Sequence, residues 1–271
     1  MRRALAVAIL IALTTLPAGA ALARRGVRPL FEPTDLELED PAVVELDLQA
    51  GTIRGQGPWR LVIPDFELDV GILRNLELDV DGAYALEAPG PGSFKFENAA
   101  PDNLWVAAKM GFYDWVDEGA SPAELTAWAL GAQVGPKLPV APGSHALGVE
   151  GLLLIGHVIR RAHFVLNAGA FLDPNPAPGA ARPIGIELGL DFDRDLDAAG
   201  HFQVTAELSG VRFVSSDPNQ LLMTAGLAWS PTPATQISLV GLVGFLEGSD
   251  RYGALVGISQ KVGFFGAKPR S

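Results

Sequence analysis

The sequence predicts an all-β fold: a single antiparallel up-and-down transmembrane β-barrel of about 12 strands. Three patterns predict it. Segments of roughly 8 to 14 residues alternate apolar and polar side chains, which is the period of a strand with two different faces. Long connections rich in Pro and Gly follow several of these segments, whereas others are joined by very short turns. Large aromatic side chains stand at the ends of the segments, where the two membrane interfaces would lie.

The clearest alternation runs from Arg60 to Leu86 and predicts a hairpin with its turn near residues 73–75. One parity is apolar: Val62, Phe66, Leu68, Val70 and Ile72, then Leu76, Leu78, Val80, Tyr84 and Leu86. The other parity is acidic: Asp65, Glu67, Asp69, Glu77, Asp79 and Asp81. A soluble β-sandwich would bury the apolar face against a second sheet, whereas an outer-membrane barrel would turn it to lipid and the acids to the lumen.

The remaining strands are predicted from the same alternation. Strands are expected over residues 42–49, 104–115, 125–135, 146–158, 163–172, 184–193, 202–214, 221–229, 236–246 and 252–264. A change of parity near Gly210 predicts a bulge in its strand. The segment SPAELTAWAL could also begin as a short helix, because Glu124 follows Ser121 at capping-box spacing, but the alternation after it favours a strand.

The two ends of the chain lie outside the predicted barrel. Residues 1–23 combine a basic start, an apolar run and small residues before the expected cleavage site, which predicts a secretory signal peptide. Residues 24–41 are charged and contain proline, so we expect a periplasmic arm on which Asp35, Glu37, Glu39 and Asp40 are solvated. The barrel is expected over residues 42–265 and a tail over residues 266–271.

Composition excludes several classes of protein. There is no cysteine, so a disulfide framework, a thiolate metal site and an acyl anchor are all excluded. Removal of the leader takes away Arg2 and Arg3 and leaves 18 basic against 31 acidic residues (20 minus 2), a formal charge of about −13. Nucleic acid is not an expected partner, because binding to phosphates needs clustered Lys and Arg.

Aromatic residues are expected to form two interfacial girdles. The predicted girdle residues are Trp59, Tyr84, Trp115, Trp128, Phe171, Trp229, Tyr252 and Phe264. The alternative interpretation is that these aromatics mark the ends of a sandwich core.

The segments LWVAAKMGFYDW, PKLPVAPGS and LNAGAFLDP make the chain similar to Gram-negative outer-membrane β-barrels. Among these it resembles the meta-pathway phenol-degradation family of small transporter-like barrels, from about Asp102 to the C-terminus. The resemblance implies a cell outer-membrane location, with the lipid bilayer as partner, and a transport role. Such barrels usually end on an aromatic residue, whereas here six residues follow Phe265.

If the apolar faces contact lipid, the acidic parity lines the lumen. The predicted acidic wall comprises Glu45, Asp47, Asp65, Glu67, Asp69, Glu77, Asp79 and Asp81, joined by Glu187, Asp191 and Asp193. The predicted basic residues of the lumen are Arg60, Lys109, Arg194 and Lys261. Elsewhere the inward parity is small or apolar, as at Ala127, Gly131, Leu152, Leu154 and Leu242. Walls of carboxylates favour cations in a pore, whereas the same acids paired with those bases would close it.

We expect no catalytic site, no metal site and no cofactor. His157 and His163 flank one turn, but neither has a serine nearby in sequence that could act as a nucleophile. The segment DFDRDLDAAGH spaces its aspartates like a calcium loop, yet Leu196 stands where glycine is required and Phe202 where glutamate is required.

The sequence therefore predicts a passive channel or transporter for small amphipathic, aromatic or cationic solutes. A closed outer-membrane barrel with a structural or surface-binding role is the first alternative, and a periplasmic or secreted ligand-binding β-sandwich is the second. An enzyme is the least favoured class.

Overall fold

A computed structural model describes residues 38–55, 58–88, 95, 97–116, 126–142, 144–173, 184–197, 199–214 and 217–264. Their strands are β1 (Val43–Arg54), β2 (Trp59–Leu73), β3 (Leu76–Glu87), β4 (Glu97–Pro101), β5 (Leu104–Val116), β6 (Thr126–Leu138), β7 (Gly148–Ile159), β8 (Ala162–Leu172), β9 (Ile184–Asp195), β10 (Phe202–Phe213), β11 (Gln220–Thr232), β12 (Thr235–Gly244) and β13 (Tyr252–Gly263). Within these ranges no helix is long and apolar enough to cross a membrane. The predicted leader and tail, and the predicted helical start at Ser121, lie outside the described residues.

The strands form one closed antiparallel barrel. Strand β13 pairs with β1 along its whole length, from Val43 opposite Gly263 to Arg54 opposite Tyr252. Strands β4 and β5 share the same edge of β3, β4 pairing near Tyr84 and β5 between Leu76 and Asp81, so together they make one position in the cylinder. The barrel therefore has 12 strand positions, which confirms the predicted fold class, and the β-sandwich alternative is wrong.

The outer face carries the apolar rows and leaves them exposed. Examples from five strands are Leu153, Leu188, Leu227, Leu239 and Val256, each more than half exposed. A water-soluble protein rarely exposes so continuous an apolar surface, because water disfavours it. The band is what a lipid-facing barrel wall requires.

Two irregularities change which side chains face inward. In β2 the pairing with β3 shifts between Val62 and Asp65, and Val62 is buried inside the barrel although its sequence parity predicted an outward position. Pro64 has no N–H to donate, so the ladder is interrupted there. The bulge predicted at Gly210 is wrong, because β10 keeps a continuous register with both β9 and β11 through that residue.

The two ends of the barrel differ. One end, here called the turn end, holds the two-residue turns at Arg74, Arg160 and Pro233, and both the start of β1 and the finish of β13. The opposite end, called the loop end, carries the connections from β1 to β2, β3 to β4, β6 to β7, β8 to β9, β10 to β11 and β12 to β13.

Residues 38–41, the described part of the N-terminal arm, enter the barrel at the turn end. Ala42 adopts a left-handed φ of 67° and donates its N–H to the carbonyl of Gly71 at 2.9 Å. A Cβ at position 71 would collide with the backbone carbonyls of Glu39 and Asp40, so the arm can lie across β2 only because residue 71 is glycine. The prediction that Glu39 is solvated is wrong, because Glu39 is only 6% exposed.

Candidate functional site

The lumen of the barrel contains a compact acidic wall on the inner face of β1, β2 and β3. Its members are Glu45, Asp47, Asp65, Glu67, Asp69, Glu77, Asp79 and Asp81, and all except Asp81 are buried. The register sets like charges opposite one another: between β1 and β2, Glu45 faces Asp69 and Asp47 faces Glu67. Between β2 and β3, Glu67 faces Asp81 and Asp69 faces Asp79. Cross-strand neighbours of this kind repel each other unless cations or protons compensate.

Two lysines reach the turn-end edge of the acidic wall. The Nζ of Lys261 lies 2.7 Å from Oε1 of Glu39 and 3.3 Å from Oε2 of Glu45. The Nζ of Lys109 lies 3.3 Å from Oε1 of Glu77, whose other carboxylate oxygen accepts the backbone N–H of Glu39. The arm is thus tied to the wall through Lys261 of β13 and through Glu77 of β3.

Glu39 is a titratable group at this edge. Burial away from water raises the pKa of Glu39 from 4.5 to about 7, and the hydrogen bond and positive charge of Lys261 oppose that rise without cancelling it. With this pKa, the Glu39 carboxyl group gains and loses its proton near neutral pH, where an ordinary glutamate is already ionised.

Polar side chains from β13 on one side and β6 on the other contact the wall. The hydroxyl of Ser259 on β13 donates to Oε1 of Glu45, and Nε2 of Gln133 on β6 donates to Oδ2 of Asp79 at 2.6 Å. The sequence analysis did not identify Gln133 as a site residue, because the other inward positions of its segment are small residues without charge.

The three acids predicted to join this wall belong to a different one. Glu187, Asp191 and Asp193 face inward on β9, which lies across the barrel from β2 in the strand order. There Asn167 donates to Oδ2 of Asp191, and Nδ1 of His163 lies 3.4 Å from Oδ1 of Asp193. The lumen therefore has acids on two opposite sides.

The predicted basic residues divide into three groups. Lys109 and Lys261 contact the acidic wall, as described above. Arg60 faces inward at the loop end, where it forms an ion pair with Asp250. Arg194 is a correction: it has the outward parity on β9 and is exposed, because the inward positions of that strand are taken by Asp193 and Asp195.

A buried ion pair at the loop end escaped the sequence analysis. Lys137 is 2% exposed, its Nζ lies 2.6 Å from Oδ1 of Asp173, and the same atom lies 4.6 Å from the centre of the Trp105 ring. Residues 136–138 read as a loop because of Pro136, but β6 continues through them to Leu138. Glu150 on β7 is also buried. The sequence analysis did not identify it as a lumen residue, because its strand carries no other acidic residue.

Apolar side chains fill part of the lumen towards the loop end. Ile53, Val62, Leu242 and Leu255 form a buried cluster from four strands, against which Ala83 and Leu222 pack. Leu152 and Leu154 on β7 are buried as well. The lumen is thus acidic on β1 to β3 towards the turn end, and towards the loop end it holds this apolar cluster together with the ion pairs Arg60–Asp250 and Lys137–Asp173.

Six of the eight predicted girdle residues lie on the outer face, four near the turn end of the barrel and two at the loop end. Trp115, Trp128, Trp229 and Phe264 are exposed near the turn end, and the rings of Trp59 and Tyr252 meet edge to face at the loop end, 5.5 Å apart. Tyr84 is half-buried.

Phe171 does not belong to the girdle. It is 2% exposed and points into the lumen, where its ring meets that of Phe213 at 5.9 Å and 83°. The assignment was wrong because β8 and β9 leave room for the ring over Gly185, which the strand pattern does not reveal.

No protein-family model and no curated protein matches the chain. Solved structures do match it. The COG4313 outer membrane channel from Pseudomonas putida F1 superposes with a TM-score of 0.60 at 11% sequence identity, over 86% of this chain and 100% of that chain. The fold is that of an outer-membrane β-barrel.

Two further solved structures superpose with lower scores. A loop deletion mutant of OmpT from Vibrio cholerae gives a TM-score of 0.41 at 10% identity, over 81% of this chain and 98% of that one. The translocator domain of the autotransporter NalP from Neisseria meningitidis gives 0.40 at 11% identity, over 96% of each chain. At such identities the comparison extends to the fold alone, and the resemblance to the phenol-degradation family stays a prediction.

Proposed function

We propose that the protein is an outer-membrane channel through which small solutes pass passively. The observation that carries the proposal is the acidic wall, a row of buried carboxylates inside a closed barrel whose outer face is apolar. Carboxylates that line a pore favour cations, because they replace part of the water that a cation loses on entry. The structural neighbour from Pseudomonas putida is itself described as an outer membrane channel, which agrees with this role.

The lining favours solutes that are both cationic and partly apolar. A solute moving along the barrel axis meets the apolar cluster of Ile53, Val62, Leu242 and Leu255 near the loop end and the carboxylates of β1 to β3 beyond it. An amphipathic amine or an aromatic cation satisfies both surfaces, whereas an anion is repelled by the second. This preference is inferred from the chemistry of the residues that line the lumen.

A closed barrel with a structural or surface-binding role is the second candidate. It is favoured by the position of the arm, which occupies the turn end beside Gly71, and by the apolar packing near the loop end. The two candidates differ in one measurable property, which is conductance.

Planar-bilayer recording of the purified protein tests the proposal. We expect single-channel conductance with a preference for potassium over chloride, and a weaker preference after the double substitution of Glu67→Gln and Asp81→Asn. The matched control is Asp217→Asn, an exposed acid in the connection from β10 to β11, which should leave selectivity unchanged. Absence of conductance supports the closed barrel, and a preference for chloride overturns the role given to the wall.

The location is tested separately by membrane fractionation. We expect the processed protein in the outer-membrane fraction, extracted only by detergent, with a shift in gel migration on heating. Recovery as a water-soluble protein would refute the outer-membrane location and the channel together.

A further inference from the structure

The acidic wall contains two groups of carboxylates close enough to share one ion each. Glu45, Asp47 and Asp69 form one group, and Glu67, Asp69 and Asp79 form the other. In each group the carboxylate oxygens lie within 4.8 Å of one another, and every member is buried. Oxygen ligands of Ca²⁺ stand about 2.3–2.6 Å from the ion, so two oxygens on opposite sides of it are about 4.6–5.2 Å apart. The spacing therefore suits an ion placed between the strands.

The groups join through Asp69, which belongs to both. Asp69 lies on the central strand β2, opposite Glu45 on β1 and opposite Asp79 on β3. The two nearby lysines contact the wall at Glu45 and Glu77, towards the turn end. Five carboxylates from three adjacent strands thus converge on a patch centred on Asp69.

Gln49 supplies an independent sign that the patch receives a ligand. It is 2% exposed, and among the described residues neither its Oε1 nor its Nε2 has a hydrogen-bond partner. Gln49 faces inward on β1, next to Asp47 on that face and opposite Asp65, whose Oδ1 also lacks a hydrogen bond in the described part of the chain. Buried polar atoms are almost always hydrogen-bonded or bound to an ion or water, because leaving them bare is unfavourable.

We propose that the acidic wall binds a divalent metal ion of the calcium type at Asp69. Asp69 supplies a ligand common to both groups, Glu45 and Asp47 complete the first group, and Glu67 and Asp79 complete the second. Gln49 lies next to Asp47 on the same face, at the margin of the first group. Calcium fits better than magnesium, since five carboxylates on a sheet offer many oxygens without octahedral geometry, and Mg²⁺ keeps more of its water. The bound ion offsets the repulsion between facing carboxylates and so stabilises the wall. The proposal does not depend on transport, because a closed barrel would bind the ion equally.

Calorimetric titration of the purified, EDTA-treated barrel with CaCl₂ in an uncharged detergent tests the site. We expect saturable binding, tighter for Ca²⁺ than for Mg²⁺, and a higher unfolding temperature in Ca²⁺ than in EDTA. Asp69→Asn should weaken binding by more than about tenfold, since it removes a ligand from both groups. Glu187→Gln, on the opposite side of the lumen, is the matched control and should bind Ca²⁺ normally.

Two further measurements separate loss of the site from loss of the fold. In EDTA, Asp69→Asn should unfold no earlier than the unchanged protein, because it removes a repelling charge. Gln49→Leu should weaken Ca²⁺ binding; an unchanged affinity would count against the proposal, because Gln49 is the independent sign of a ligand. The proposal is overturned if the unchanged protein binds no Ca²⁺ at millimolar concentration, if Asp69→Asn binds as tightly, or if Glu187→Gln loses binding to the same degree.

Discussion

Replacing Glu39 by glutamine should flatten the dependence of barrel stability on pH. The pKa of Glu39 rises from 4.5 to about 7 on folding, so between these values the folded chain keeps a proton that the unfolded chain has released. Stability therefore falls as pH rises through this range and is constant above it. A difference of about 2.5 pH units, at about 1.4 kcal/mol each, gives an upper value of about 3 to 4 kcal/mol.

The measurement is reversible urea unfolding in lipid vesicles at pH 4.5 and at pH 8. Other acids of the wall also titrate, so the informative quantity is the change with pH in the unchanged protein minus the change in the variant. We expect Glu39→Gln to lose less stability than the unchanged protein over this interval, by up to about 3 to 4 kcal/mol. Asp40→Asn, the neighbouring half-buried acid on the arm, is the control and should keep the original slope. Equal slopes for Glu39→Gln and the unchanged protein would refute the assignment.

Three further substitutions test the packing of the lumen. Lys261→Met leaves Glu39 and Glu45 without their shared cation and should lower the free energy of unfolding at pH 8 by about 3 kcal/mol, measured in urea; an unchanged value would contradict the contact. Gly71→Leu should expel the arm and expose it to proteinase K, whereas Gly151→Leu, where a Cβ meets atoms no closer than 3.9 Å, should not; protection of both would place the arm elsewhere. Phe171→Ala should cost about 3–5 kcal/mol in unfolding free energy, and a loss below about 1 kcal/mol would return Phe171 to the lipid face.

The strand pattern succeeded where the alternation is uninterrupted and failed where one residue breaks it. Between Asp65 and Val70 each side chain lies on the face that its parity predicted, because a strand has a fixed period of two. The sequence analysis placed Val62 on the outer face. The irregularity at Ile63 and Pro64 reverses the face towards which the preceding residues of β2 point, so Val62 points into the lumen. Lys137 was not identified for a related reason. The adjacent Pro136 indicated a loop, although β6 continues through both residues.

The sequence alone determined the class of fold, because about a dozen alternating segments with one apolar face have few ways to satisfy their backbone hydrogen bonds in a membrane. It also determined which side chains of the hairpin are acidic and inward. Only the tertiary structure decided which of them meet. Closure of the barrel brings Lys261 of the last strand to Glu45 of the first and separates Asp191 and Asp193 from β2. The entry of Glu39 into the lumen and the convergence of three strands on Asp69 depend on register and chain path, and local periodicity carries no information about either.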